Sequence, residues 1–256
     1  GKPGTDEHIL HFVSMPDCKE VFSLDTGKYK RPHGIAVGER TGTIYLTSEI
    51  AQSVILVDPK EHRIIAAIPT GSPYSHMLAV TRDEKAVYVS NVHSKTVSVL
   101  NVPERKLADI VQTGSPCQRM TLSPDERWFV TNLGPAHKIA FFRTADRQLD
   151  FTVEVDGDPF IAKFSSDGKY LYNAGHKDGQ ARAWKVDVAQ KKVIATSSDD
   201  LGRDVGSLAV NPFSGEVYVS DQATNTIGEI DPETWRVKNQ LATDKAPDCM
   251  AFTTVE

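Results

Sequence analysis

Two histidines stand at the same point of two related phrases, His33 in Pro-His-Gly-Ile-Ala-Val and His76 in Ser-His-Met-Leu-Ala-Val. Glu49 follows the first phrase after a turn and a short hydrophobic run, and Asp248 heads a further copy of it, Asp-Cys-Met-Ala-Phe. Neutral imidazoles with a carboxylate are the donors that zinc and similar divalent ions take, and such an ion polarises a carbonyl or activates water. His33, His76 and Asp248 are therefore the candidate metal ligands, with Glu49 as a neighbouring carboxylate. Without a metal the same groups could exchange protons near neutral pH, where histidine titrates. Arg119 sits where it could grip a carboxylate or phosphate bidentately, or pair with Asp125 or another acid. The candidate catalytic set is His33, His76, Glu49, Arg119 and Asp248.

A repeat must bring these scattered residues together. The phrase occurs six times, its copies ending at Val37, Val80, Leu122, Phe164, Val210 and Phe252, with steps of 42 to 46 residues. That period is the length of one four-stranded propeller blade. In the first unit the runs GIAV, TIYLT, SVILVD and RIIAAI are rich in β-branched and aromatic residues, and turn formers separate them. Helical periodicity is absent. The expectation is an all-β, six-bladed β-propeller in one domain spanning residues 1–256. Five complete blades run from Pro32 to about Thr243. Both termini form the sixth, His8–Gly27 giving third and fourth strands and Asp248–Thr254 an innermost strand. One strand of that composite closing blade is unaccounted for, so it has three strands, the chain is cut, or the closure is looser.

Within a propeller, the loop entering the innermost strand and the loop after the second strand open on one face. The first loop carries His33, His76, Gln118, Phe160, Gly206 and Asp248, and the second carries Ser48, Asn91, Asn132, Ala174 and Asp221. His93, His137 and His176 lie in nearby polar loops, where a solvated histidine is ordinary, and His62 maps to the opposite face as an idle residue. Tyr45, Tyr88, Trp128, Tyr172 and Tyr218 recur at second-strand positions, which means packing between blades rather than base stacking. The fourth unit is longer, with the excess in AGHKDGQARAWKVD or in SSDDLGRDVG. Either stretch could overhang the mouth as a lid; the acids Asp199, Asp200 and Asp204 could equally be a solvated turn.

The succession P-x-G-I-A-V, I-Y-L-T-S, S-V-I-L-V-D and I-I-A-A-I-P-T-G resembles the YVTN family of β-propeller repeats, with second-strand matches in VYVSN, WFVTN and VYVSD. The resemblance covers about Pro32 to Phe252 and implies the propeller fold. It implies no single activity, because similar propellers include binding proteins, lactonases, cofactor-handling enzymes and a nucleic-acid binder. Lactonase-type propellers are a more distant likeness, through the P-x-H phrase at strand starts. They have seven blades and a different phase of the histidine, so no catalytic residue carries over.

Composition narrows the function classes. The 256 residues carry a net charge of −5, which opposes nonspecific nucleic-acid binding. No stretch is long and apolar enough for a membrane helix. Three cysteines without a C-x-x-C pair argue against a thiolate zinc site. The glycine fingerprint for nucleotides, G-x-S-x-G, H-E-x-x-H and C-x-x-C-H are absent, so no nucleotide, flavin or covalently attached haem is expected. The resulting expectation is an enzyme acting on a small molecule at the channel mouth, a lactonase-like hydrolase or a lyase or isomerase, with a divalent metal as its one candidate cofactor. The alternative is a noncatalytic propeller that binds a ligand or a protein. A monomer is expected. The compartment is open, secreted or periplasmic if Gly1 follows a removed leader.

Overall fold

The computed structural model describes residues 7–197 and 201–252. The described residues hold β-strands, turns and loops, with 3-10 geometry at Gly134–Ala136 and at Leu201 and no α-helix. Ile9–Val13 (β1) pairs with Glu20–Asp25 (β2) in a two-stranded sheet. Five four-stranded antiparallel sheets follow, each made of consecutive strands. The first holds Pro32–Val37 (β3), Ile44–Ser48 (β4), Ser53–Asp58 (β5) and Arg63–Pro69 (β6). The second holds Ser75–Val80 (β7), Ala86–Asn91 (β8), Thr96–Asn101 (β9) and Lys106–Gln112 (β10). The third holds Met120–Leu122 (β11), Trp128–Leu133 (β12), Lys138–Arg143 (β13) and Leu149–Glu154 (β14). Asp158–Phe164 (β15), Tyr170–Lys177 (β16), Gln180–Asp187 (β17) and Lys192–Thr196 (β18) make the fourth. Val205–Val210 (β19), Val217–Asp221 (β20), Thr226–Ile230 (β21) and Val237–Ala242 (β22) make the fifth.

Burial explains the strand composition. Second and third strands such as β4 and β5 are buried along nearly their whole length, so they are almost continuously apolar. Outer strands such as β10 and β18 alternate between exposed and half-buried positions, the period of a strand with one solvated face. All five pairs of third and fourth strands carry a register shift, as at Leu56/Val57 and Phe141/Phe142. Such bulges twist an edge away from further pairing. The β1–β2 pair has the same irregularity, between Phe12 and Val13. The N-terminal hairpin thus shares the edge irregularity of those pairs.

The turns repeat one device. Thr81, Ser123 and Ser165 donate their hydroxyls to Asp83, Asp125 and Asp167 at 2.6–2.8 Å. The same carboxylates accept the backbone N–H of Lys85, Arg127 and Lys169, closing the turn between first and second strands. The first sheet lacks an aspartate there. Glu84, from the neighbouring turn, reaches across instead and accepts from the N–H of Arg40 and Thr41 and the hydroxyl of Thr41.

The described residues divide into two compact units, one up to Cys117 and one from Gln118 to Phe252. In the first, Tyr45, Val54, Leu56, Ile68, Leu78, Val87, Val89 and Leu100 form a core between the first two sheets. Ile44, Leu46, Ile55 and Val57 pack against Leu10, Phe12 and Leu24 of the N-terminal hairpin. His62, expected to be idle, stacks on Phe22 with ring centroids 4.1 Å apart and meets Phe12 edge-on; it helps hold the hairpin in place. In the second unit, Phe141, Leu171 and Trp184 lie in a core between the third and fourth sheets, and Tyr172, Leu208 and Trp235 in one between the fourth and fifth.

Three expectations need correction or restriction. The innermost strand expected over Asp248–Thr254 does not form over its described part: residues 247–252 carry no strand, and Thr253 and Thr254 lie outside the described residues. This segment still packs on the fifth sheet, with Phe252 edge-on to Tyr218 and the Pro247 carbonyl close over Gly206. Much of the excess of the fourth unit is absorbed into strand pairing, since β16 and β17 have eight residues each and pair to Lys177↔Gln180. It is sheet rather than a lid. Asp199 and Asp200 lie outside the described residues.

Candidate functional site

The histidines owe their placement to backbone irregularities. In the first sheet Pro32 pairs with Ser48 and Ile35 with Leu46, so His33 and Gly34 bulge opposite the single residue Thr47. In the second, Ser75 pairs with Asn91 and Leu78 with Val89, which puts His76 and Met77 in the same bulge. A bulge turns a side chain away from the regular alternation of its strand. The freed amides are satisfied locally, Gly34 N–H by the Thr47 hydroxyl at 2.7 Å and Met77 N–H by the Ser90 hydroxyl at 3.2 Å. Thr47 also donates to the His76 carbonyl at 2.6 Å, which ties the two bulges together. Gly34 is required here. A Cβ at that position would lie 2.5 Å from the His76 carbonyl oxygen.

The two imidazoles consequently stack, with ring centroids 3.8 Å apart and planes 33° from parallel. Glu49 follows β4 directly and turns its carboxylate under them: Oε1 is 3.7 Å from His33 Nδ1 and 4.0 Å from His76 Nε2. One donor atom from each of His33, Glu49 and His76 fits within a 4.8 Å span. The Glu49 side chain is 3% exposed. Burial pushes its carboxyl above the usual range, against the opposing pull of Arg31 and His93. Arg31 Nη2 is 3.0 Å from Glu49 Oε2, yet neither that oxygen nor Arg31 Nε makes a hydrogen bond. Charge is balanced there while hydrogen-bonding capacity is left unused. His93 is exposed and sits edge-on to Tyr74, ring centroids 4.2 Å apart.

Arg119 and Asp248 belong to the second unit and are brought to each other. Arg119 Nη2 donates to Asp248 Oδ1 at 3.2 Å, and the guanidinium lies 4.8 Å over the Phe160 ring. Asp125 is occupied by its turn and is not the partner of Arg119. The carboxylate within reach of both imidazoles is Glu49.

Residues at the ends of the second strands have a different task. Ser48 donates to the Lys30 carbonyl, Asn91 accepts from Ser75, and Asn132 donates to the Arg119 carbonyl. Asp221 accepts the backbone N–H of Arg203, Asp204, Ala223 and Thr224. Each holds the loop that enters the innermost strand of its own sheet. Burial alone would raise the Asp221 carboxyl, but these amides outweigh it and hold the group below the usual aspartate range. The remaining loop histidines are engaged rather than merely solvated. His137 Nδ1 is 2.8 Å from the Gly157 carbonyl and 3.0 Å from Asp158, and His176 Nε2 accepts the Val205 N–H at 3.1 Å.

Sequence reasoning missed Arg31 and Tyr74. Both stand two residues before a bulge histidine and both have positive φ, 51° and 55°. Their equivalence in the repeat was the available signal.

A family model described as the YNCE-like beta-propeller matches residues 31–158 of the chain. The chain belongs to that family. Its four-stranded sheets are accordingly propeller blades, and the bulge histidines lie at the start of the innermost strands of two of them. No curated protein matches the chain. Many solved chains share the fold. One, titled Kuenenia stuttgartiensis Hydrazine Synthase, is 18% identical with a TM-score of 0.72, over 79% of this chain and 63% of that one. The likeness is one of fold, and the chain spans less than two thirds of that relative. No helix among the described residues is long and apolar enough to cross a membrane.

Proposed function

We propose that this propeller binds a divalent transition metal through His33, His76 and Glu49 and uses it on a small molecule. The observation carrying this reading is the buried, incompletely hydrogen-bonded Glu49 carboxylate facing two stacked imidazoles. Tetrahedral zinc with ligands at about 2.0–2.2 Å sets donor atoms roughly 3.3–3.6 Å apart. The 3.7 and 4.0 Å separations to Glu49 lie close to that range, and the full 4.8 Å span of the three donors closes by about 1 Å on binding. Two imidazolium ions in that stack would repel each other, whereas neutral rings offer lone pairs to a cation. Three protein ligands leave a coordination position for water or substrate, the pattern of a catalytic rather than a structural site. When bound, the ion would supply Lewis acidity; Arg31 would balance the carboxylate and the Tyr74–His93 pair would border the substrate. A hydrolase, lyase or isomerase acting on a carbonyl compound fits such a site. Elemental analysis and zinc titration of the wild-type protein and the His33→Ala/His76→Ala variant test it. One equivalent of zinc in the wild type and none in the variant is expected, and equal uptake by both overturns it.

Six blades in a single domain, with the sixth composed from both termini, complete the reading. The shared bulge of β1–β2 and the packing of Pro247 and Phe252 on the fifth sheet support it. The repeat phrases favour a YVTN-type assignment within the propellers.

A further inference from the structure

The second unit holds a cluster of another kind. Arg119 is 6% exposed, and its guanidinium carbon lies over the Phe160 ring, 4.8 Å from the centroid. Its Nε is buried without a hydrogen bond, and its bond to an acid is the single Nη2 contact with Asp248 at 3.2 Å. Asp248 itself is 53% exposed at the side chain and follows Pro247 in a stretch without strand pairing. Lys163, on the innermost strand β15, is the second cation. Its side chain keeps access to solvent, yet crowding by protein strips enough water, and Arg119 adds enough repulsion, to hold the ammonium below the usual lysine range. Among the described residues Lys163 forms no ion pair with an acid. Of the two cations, only Arg119 meets an acid, the partly exposed Asp248. A planar guanidinium with unused donors matches the two oxygens of an oxyanion.

We infer that Arg119 and Lys163 form an oxyanion-binding site for the carboxylate or phosphate group of a small molecule, with Asp248 as the displaceable internal occupant. The incoming group takes the guanidinium edge that Asp248 now touches, the ammonium supplies a further donor, and Phe160 packs against the guanidinium. The internal acid balances the Arg119 charge when no ligand is bound.

Calorimetric titration of chelator-treated protein with inorganic phosphate and, separately, with malonate tests this apart from the histidine site, because no metal remains to hold the anion. Saturable binding of at least one probe is expected, and the stronger probe tells whether phosphate or carboxylate is the better ligand. Lys163→Met and Arg119→Gln should each weaken that binding by about tenfold or more. Asp248→Asn, a change at an exposed position, should strengthen it by roughly two- to fivefold, since an exposed competing ion pair is removed. A merely structural role for Asp248 would instead leave binding unchanged or weaken it. Absence of saturable binding of either probe to the wild type, or affinities unchanged in both Lys163→Met and Asp248→Asn, overturns the inference.

Discussion

The histidine cluster of the first unit and the arginine cluster of the second are built from corresponding places in the repeat, yet they are chemical opposites. At the start of the innermost strand the first unit has His33 and His76 facing a buried carboxylate; the second has Phe160 beneath Arg119, with Lys163 nearby. One collects electron-pair donors, the other positive charge. The difference teaches that the blade framework specifies a location while the residues at its bulges and entry loops specify the chemistry. Framework positions behave in the reverse way: Asp83, Asp125 and Asp167 perform one task in three blades across both units.

The largest effect that could break the comparison lies in the histidine cluster. Glu49→Gln keeps the shape and removes the charge, and zinc affinity measured by competition titration should fall by about tenfold to a hundredfold, since a neutral amide is a poor ligand for the ion. His93→Ala, at an exposed neighbour of the cluster, should change it by less than about threefold. Equal losses in the two variants would mean that the carboxylate is no ligand.

Next comes Asp221, which separates holding a loop from doing chemistry. Four backbone amides donate to this carboxylate, so Asp221→Asn should cost about 1.5–3 kcal/mol in denaturant melts at neutral pH. The sign of the pH effect follows from the depressed folded-state value. The unfolded chain takes up the proton first, so the stabilisation is complete above the ordinary aspartate range near 3.8 and is lost as pH falls through the folded value. The Asn variant should lose that acid-side slope, and an unchanged slope would show that the amides do not stabilise the charged form.

Asn91 is the neutral counterpart in the first unit. Its side chain bonds Ser75, Thr96 and Ser98 in a fully buried position. Asn91→Ala should cost about 1–3 kcal/mol with little dependence on pH, because the hydroxyls it leaves are neutral. The smallest effects belong to the repeated turns. Asp83→Ala, Asp125→Ala and Asp167→Ala should each lower stability by about 0.5–1.5 kcal/mol, and by similar amounts, in parallel thermal melts. A large spread among the three would undo the claim that framework positions are equivalent.

The 42 to 46 residue period, the four runs per unit and the turn formers between them placed nearly every strand, because alternation and turn chemistry are local properties written along the chain. The same period singled out His33 and His76, since equivalent positions in successive blades must come to neighbouring places. It could not choose between Glu49 and Asp248 as the carboxylate beside them. That choice depends on a two-residue bulge, on the close approach of Gly34 to the His76 carbonyl and on the burial of the turn after β4, none of which is a pattern in sequence. His62 makes the same point from the opposite edge, where stacking on Phe22 depends on how a distant hairpin docks. Sequence by itself determined the blade and the positions in it where side chains gather, because both follow from local periodicity. Only the tertiary structure decided which of those side chains meet, because contact between residues far apart in the chain is set by packing and by the desolvation it imposes.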